Sequence, residues 1–165
     1  MSLPLANQQH DHNQCIETAL QTARQLCQEK GARLTALREQ VLKIVWQSHK
    51  PLGAYAVMDI LAEQDTRRIA PPTVYRALDF LLEHGLVHRI NVLNAYMGCS
   101  HPGSAHAHNF LICRACDVAI EFETDSLDRA LHSSARAYDF EITGQAIELI
   151  GLCANCREET DHEAG

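Results

Sequence analysis

The sequence predicts an α+β protein in two parts: helices closed by a short β-ribbon in the first half, then a smaller unit of strands and one helix. Three observations carry that reading. Apolar residues recur at helical spacing four times before residue 85, and the period then changes to short extended clusters. Two CxxC pairs, Cys113 with Cys116 and Cys153 with Cys156, frame the second half with 36 residues between them. Charge divides along the same line. Residues 1–90 carry ten Lys/Arg against nine Asp/Glu, and residues 91–165 carry four against twelve, so the acidity behind the net charge of −7 belongs to the second half. A near-neutral first half can meet phosphates where its basic groups share a face, whereas the acidic second half is repelled by them.

The elements follow in order. Ile16, Ala19, Leu20, Ala23 and Cys27 form one helical stripe that Gly31 closes as a left-handed cap. Cys27 on that stripe behaves as a small buried hydrophobe. Thr35 caps a second helix carrying Leu37, Val41, Ile44 and Val45, which stops before Lys50-Pro51 because a residue preceding proline avoids the α region. Gly53 starts a third helix, with Val57, Ile60 and Leu61 inward. Arg67 to Pro72 is a turn-forming break, and Pro72 stands in the first turn of a fourth helix, where its missing N–H costs little. There Val74, Ala77, Leu78 and Leu81 face the core, leaving Thr73, Tyr75, Arg76 and Asp79 on the other faces, and Gly85 ends the helix. Leu86 to Ile90 and Val92 to Met97 read as two strands turning about Asn91. Helices followed by such a ribbon make a winged helix-turn-helix.

In the second half Asn109 to Ile112 and Val118 to Phe122 read as strands flanking the first CxxC. Leu127, Ala130, Leu131 and Tyr138 mark an amphipathic helix, and Phe140 to Leu152 is an extended segment delivering the second CxxC. Met1 to Asn13 and Arg157 to Gly165 read as polar, mobile tails, and His10, His12, Cys15 and His162 as tail or surface residues. No apolar run approaches the roughly 18 residues needed to span a membrane. Met1 to Asn13 lacks a basic segment followed by an apolar one, so no signal peptide is read. A cytoplasmic protein with reduced thiols is the expectation, and seven cysteines, an odd number, do not make a complete disulfide framework.

Two residues between cysteines let both thiolates point at one ion from a tight turn, and two such turns complete a tetrahedral S₄ shell, the geometry that selects zinc. A single CxxC is also a redox motif; the pairing of two favours the four-thiolate site. Such an ion also supplies the stability that two small domains within 165 residues need. A second cluster of donors, His88, Cys99, His101, His106, His108 and Glu121, lies just ahead of or within the second half. A thiol with several imidazoles before a CxxC favours a second metal site, and its sulfur and nitrogen donors favour zinc over manganese. On the fourth helix, Arg76 offers a forked cation for guanine or phosphate, Tyr75 a hydroxyl and ring, and Thr73 a short contact. Arg33, Arg38 and Lys43 can meet phosphates and are equally ordinary surface charges.

From about Ala32 through Cys156, three quarters of the chain, the sequence resembles the Fur family of metal-responsive repressors, most nearly its zinc uptake regulator branch. The resemblance is carried by Pro71-Pro72-Thr73-Val74-Tyr75-Arg76-Ala77-Leu78-Asp79-Phe80-Leu81, similar to the family's recognition helix, and by the two CxxC pairs. It implies a winged-helix DNA-binding domain over residues 1–90, a wing end, hinge and connection over 91–106, a small C-terminal α/β dimerisation domain over 107–156, and a tail over 157–165. It further implies structural zinc on Cys113, Cys116, Cys153 and Cys156, and regulatory zinc on His88, Cys99, His106 and Glu121, with His108 as the alternative to His106. Two zinc ions per subunit follow. Tyr55 and Arg76 correspond to DNA-contacting positions. Ala36 stands where a proline often follows the capping threonine, and Gln145 where iron-type members often carry a histidine ligand. Gln145 and Cys99 favour zinc over iron.

The implied function is a zinc-responsive repressor of zinc uptake genes: a homodimer on double-stranded operator DNA, with no membrane partner, no small-molecule substrate and no enzymatic activity. The rivals are an iron- or peroxide-sensing repressor of the same family, a zinc buffer or interaction module that never meets DNA, and a zinc hydrolase with Glu121 as base. The last lacks an HExxH motif or a nucleophile constellation.

Overall fold

The computed structural model describes residues 12–48, 50–64, 69–103 and 108–163. The chain divides into two compact units, residues 1–104 and 105–165. The first contains α1 (His12–Glu29), α2 (Ala36–Trp46), β1 (Leu52–Gly53), α3 (Ala54–Gln64), α4 (Pro71–Glu83), β2 (Val87–Ile90) and β3 (Ala95–Gly98). Its core is aliphatic: Leu42, Ile44, Leu61, Leu78, Leu81 and their valine neighbours are fully buried, with Leu86, Val87 and Tyr96 of the ribbon packed on the same cluster.

Helix ends obey their local chemistry. Thr35 is the N-cap of α2, its hydroxyl accepting from Arg38 N. At the end of α1, Gly31 has φ +64, the Ala32 N–H reaches the Cys27 carbonyl at 2.8 Å and the Gly31 N–H reaches Gln28 at 3.1 Å. Gly85 repeats the motif after α4 with φ +67, which sends the chain directly into β2. Pro71 and Pro72 open α4.

The ribbon pairs β2 with β3 antiparallel, His88 opposite Met97 and Arg89 opposite Tyr96. The sequence reading has two strands here; the structure has three, because β1 pairs with β3 through Leu52–Tyr96 and Gly53–Ala95. A two-residue strand has no readable period. Gly98 is required by close approach: a Cβ there would lie 2.3 Å from Trp46 Cε2.

The second unit holds β4 (His108–Cys113), β5 (Ala119–Glu121), α5 (Asp125–Ala137), β6 (Ala146–Gly151) and α6 (Ala154–Glu163). Strand β4 is central, antiparallel to β5 and parallel to β6. Asn109, Phe110, Ile112, Cys113 and Ala119 are buried, and the amphipathic α5 has Leu127 and Leu131 half-buried with no residue fully buried. Two further expectations are corrected. Helix α1 already begins at His12, and residues 154–163, read from Arg157 as a mobile tail, are helical. Segment 154–163 has no apolar stripe to announce it; its glutamates and arginine are nevertheless good helix formers. No described helix is long and apolar enough to cross a membrane.

Candidate metal centres and nucleic-acid interface

Strand β4 ends at Cys113, the turn that follows carries Cys116, and the parallel partner β6 delivers Cys153 and Cys156 to the same end of the sheet. All four sulfurs lie within 4.8 Å of one another, and Cys116 and Cys153 are 3.8 Å apart. That spacing is the edge of a tetrahedron with metal–sulfur bonds of about 2.3 Å, so the donor set fits zinc. Electrostatics agree. The Cys153 N–H, donating to the Cys113 sulfur at 3.4 Å, leads the contacts that pull the Cys113 thiol down to about 6 against the effect of burial. The Cys156 thiol is pushed up by its Cys153 and Cys116 neighbours and by burial. One thiolate forms readily, and a full set requires a cation among them.

For the second donor set, His108 begins β4 and Glu121 ends β5, and their ligand atoms lie within 4.8 Å of each other. In the first unit His88 on β2 and Cys99 just beyond β3 are buried, at 5% and 2% exposure. His101 is exposed. His106 lies outside the described residues, whereas His108, its alternative, is the imidazole placed beside Glu121.

The outward face of α4 follows from its inward one. With Val74, Ala77, Leu78 and Leu81 buried, Thr73, Tyr75, Arg76 and Asp79 are exposed. Tyr55 on the first turn of α3 is 74% exposed. A cleft in this unit is lined by Tyr55, Tyr75, Asp79, Arg89, Asn94 and Tyr96. The sequence reading missed Arg89, which donates to Asn94 Oδ1 at 2.8 Å, the asparagine sitting at φ +47 in the ribbon turn. Its signal was the ribbon alternation, which sets exposed Arg89 against Tyr96. Burial pushes the Tyr96 hydroxyl up, with Arg89 opposing, so it stays neutral and able to donate. Arg38 has another role: its guanidinium lies 3.6 Å over the Phe80 ring, which stacks on His84.

Residues 29–150 match the ferric uptake regulator family. The chain belongs to that family. It is 35% identical over 140 residues to the zinc uptake regulation protein of Escherichia coli (strain K12), an alignment covering 84% of this chain and 81% of that protein. Among solved structures, a zinc uptake regulator complexed with zinc and DNA superimposes with a TM-score of 0.82 at 33% identity, covering 88% of this chain and 97% of the other. The crystal structure of holo XcZur matches with a TM-score of 0.76 at 41% identity, covering 86% and 98%. The ferric uptake regulator fold therefore accounts for the winged first unit and the cysteine-framed second.

Proposed function

We propose that the chain is a zinc-responsive DNA-binding repressor of zinc uptake genes, acting in the cytoplasm as a homodimer on double-stranded operator DNA and not as an enzyme. The observation that carries the reading is the likeness, over more than four fifths of the chain, to a zinc uptake regulation protein and to a zinc uptake regulator complexed with zinc and DNA. Each subunit holds two zinc ions. Cys113, Cys116, Cys153 and Cys156 take the structural one; His88, Cys99, His108 or His106, and Glu121 take the regulatory one.

Unit by unit, the residues support distinct tasks. Tyr55, Thr73, Tyr75 and Arg76 are exposed on the first unit for the major groove. The second unit exposes the paired Leu111 and Leu149 on one face of its sheet, apolar side chains suited to a second copy, and β6 is an edge strand among the described residues. The regulatory donors come from both units, so filling them restricts the angle at which a dimer presents its two α4 helices to major grooves roughly 34 Å apart. Gln145 is engaged by Asn109 and Asp128, which supports zinc over the iron-type ligand set.

The deciding experiment measures operator binding at fixed protein while free zinc is buffered across a range and bound zinc is counted. Binding should rise as the second ion per subunit enters. Equal binding at every zinc level would overturn the reading. A response to iron(II) at lower free concentration than to zinc would replace it with the iron-sensing alternative.

A further inference from the structure

Helix α5 has no fully buried side chain, only half-buried ones such as Leu127, Leu131 and Ala135, so polar contacts matter alongside apolar packing in registering it on the sheet of the second unit. Three polar side chains from three elements meet there. Gln145, just before β6, donates through Nε2 to Asp128 Oδ1 of α5 and to Asn109 Oδ1 of β4, both at 3.0 Å. The orientation is set by chemistry. A carboxylate only accepts, so Gln145 must turn its NH₂ toward Asp128, and Asn109 must then present its oxygen to the same NH₂. Asn109 is fully buried, and among the described residues its Nδ2 finds no acceptor. The buried amide is thus oriented through Oδ1 alone.

Asn109 sits beside the donors described above. It follows His108 on β4, its carbonyl accepts from the Phe122 N–H at 2.9 Å, and Phe122 follows Glu121. We infer that Gln145, acting through Asn109, is the positioning residue that holds His108 and Glu121 at metal-binding separation. The inference rests on the reading of those two as regulatory-zinc donors. An amide joining a carboxylate to a buried carbonyl oxygen does for the sheet end what a resident cation would do, without adding a charge. Outer hydrogen-bond partners of metal ligands characteristically change affinity by about 10- to 100-fold when removed.

The test is a polarity swap. In Q145E a carboxylate faces the Asp128 carboxylate with no donor between them, and Asn109 can answer it only by turning its Nδ2 inward, so the link to α5 is lost. In the double variant D128N/Q145E the new asparagine donates to Glu, and Asn109 can turn its Nδ2 toward the same carboxylate. Zinc titration of the full chain, with the tightly held zinc counted separately, should show Q145E weakening the second zinc about 10- to 100-fold while the first is retained. The double variant should recover to within about threefold, on the expectation that a restored hydrogen-bond pattern restores most of the affinity. Unchanged affinity in Q145E, or no recovery in the double variant, overturns the proposal. So does loss of the four-cysteine zinc in Q145E, which would make the role purely structural. E121Q separates the two readings: if it leaves the second zinc unchanged, the donor assignment falls and this inference with it. If E121Q loses the second zinc while Q145E keeps it, only the positioning role falls.

Discussion

Arg76 and Gly98 make opposite demands on their surroundings. Arg76 stands exposed on α4, so truncation removes nothing from the core. Arg76→Ala should weaken operator binding by about 1–3 kcal/mol, roughly 5- to 150-fold, with an unchanged melting curve. A fluorescence anisotropy titration beside a thermal melt checks both halves. Gly98 has no such freedom, because an added methyl meets the rigid Trp46 indole. Gly98→Ala should destabilise the first unit by about 1–3 kcal/mol through overpacking, read as a lowered denaturant midpoint and a shifted Trp46 emission. If Cys99 is a regulatory-zinc donor, as proposed, Cys99→Ser exchanges a thiolate for a poorer ligand. It should leave one zinc per subunit and a folded chain, and abolish the zinc dependence of DNA binding, as titration with bound-metal counting will show. The four CxxC cysteines were legible as a cluster because their spacing carries distinctive chemistry. Arg89 was not, since only its pairing opposite Tyr96 and its bond to Asn94 distinguish it from any surface arginine.

Among elements, the contact between α1 and α2 is electrostatic as well as apolar. Arg24 makes a bidentate pair with Glu39, at 2.7 and 2.9 Å. The Arg24 hydrogen bond, and its charge, hold the Glu39 carboxyl below its ordinary range. A carboxyl depressed in the folded state contributes stability above its unfolded value, near 4.3, and loses it as pH falls through the folded one. The stability gap between the wild type and Glu39→Gln should therefore be constant near neutrality and close in acid below about pH 4; urea midpoints across that range test it. In the second unit few described side chains are buried in the single chain, so a zinc on the four cysteines is expected to contribute to its folding free energy. Strong chelation should unfold β4 to α6 while α1 to β3 persist, which amide exchange will resolve unit by unit. The helices of the first unit were legible from stripes and caps because a core of Leu42, Leu61, Leu78 and Leu81 imposes the 3.6 period. Strand β1 and helix α6 were not: one is two residues long, and the sequence of the other has no apolar stripe. Helix α5 was legible from its stripe, and Leu127 and Leu131 are half-buried in the single chain.

For the whole molecule, if reading and sensing are tasks of different residues, as proposed, their connection is a measurable free energy. A charge of −7 gives no general attraction to DNA, and binding must come from the local first-unit face once it is correctly presented. If the regulatory ion favours the DNA-competent form by about 1–3 kcal/mol, operator DNA must favour the ion by the same amount, because binding linkage is reciprocal. Zinc affinity of the second set, measured by competition with a chelator of known strength, should rise roughly 5- to 150-fold on adding saturating operator. The same factor should separate operator affinities measured with and without that zinc. The four-cysteine site is the internal control: if its zinc is structural, as proposed, operator should not alter its occupancy. Equal zinc affinity with and without operator would break the linkage whatever the structure of each unit, because a ligand with no preference between two states cannot move their balance.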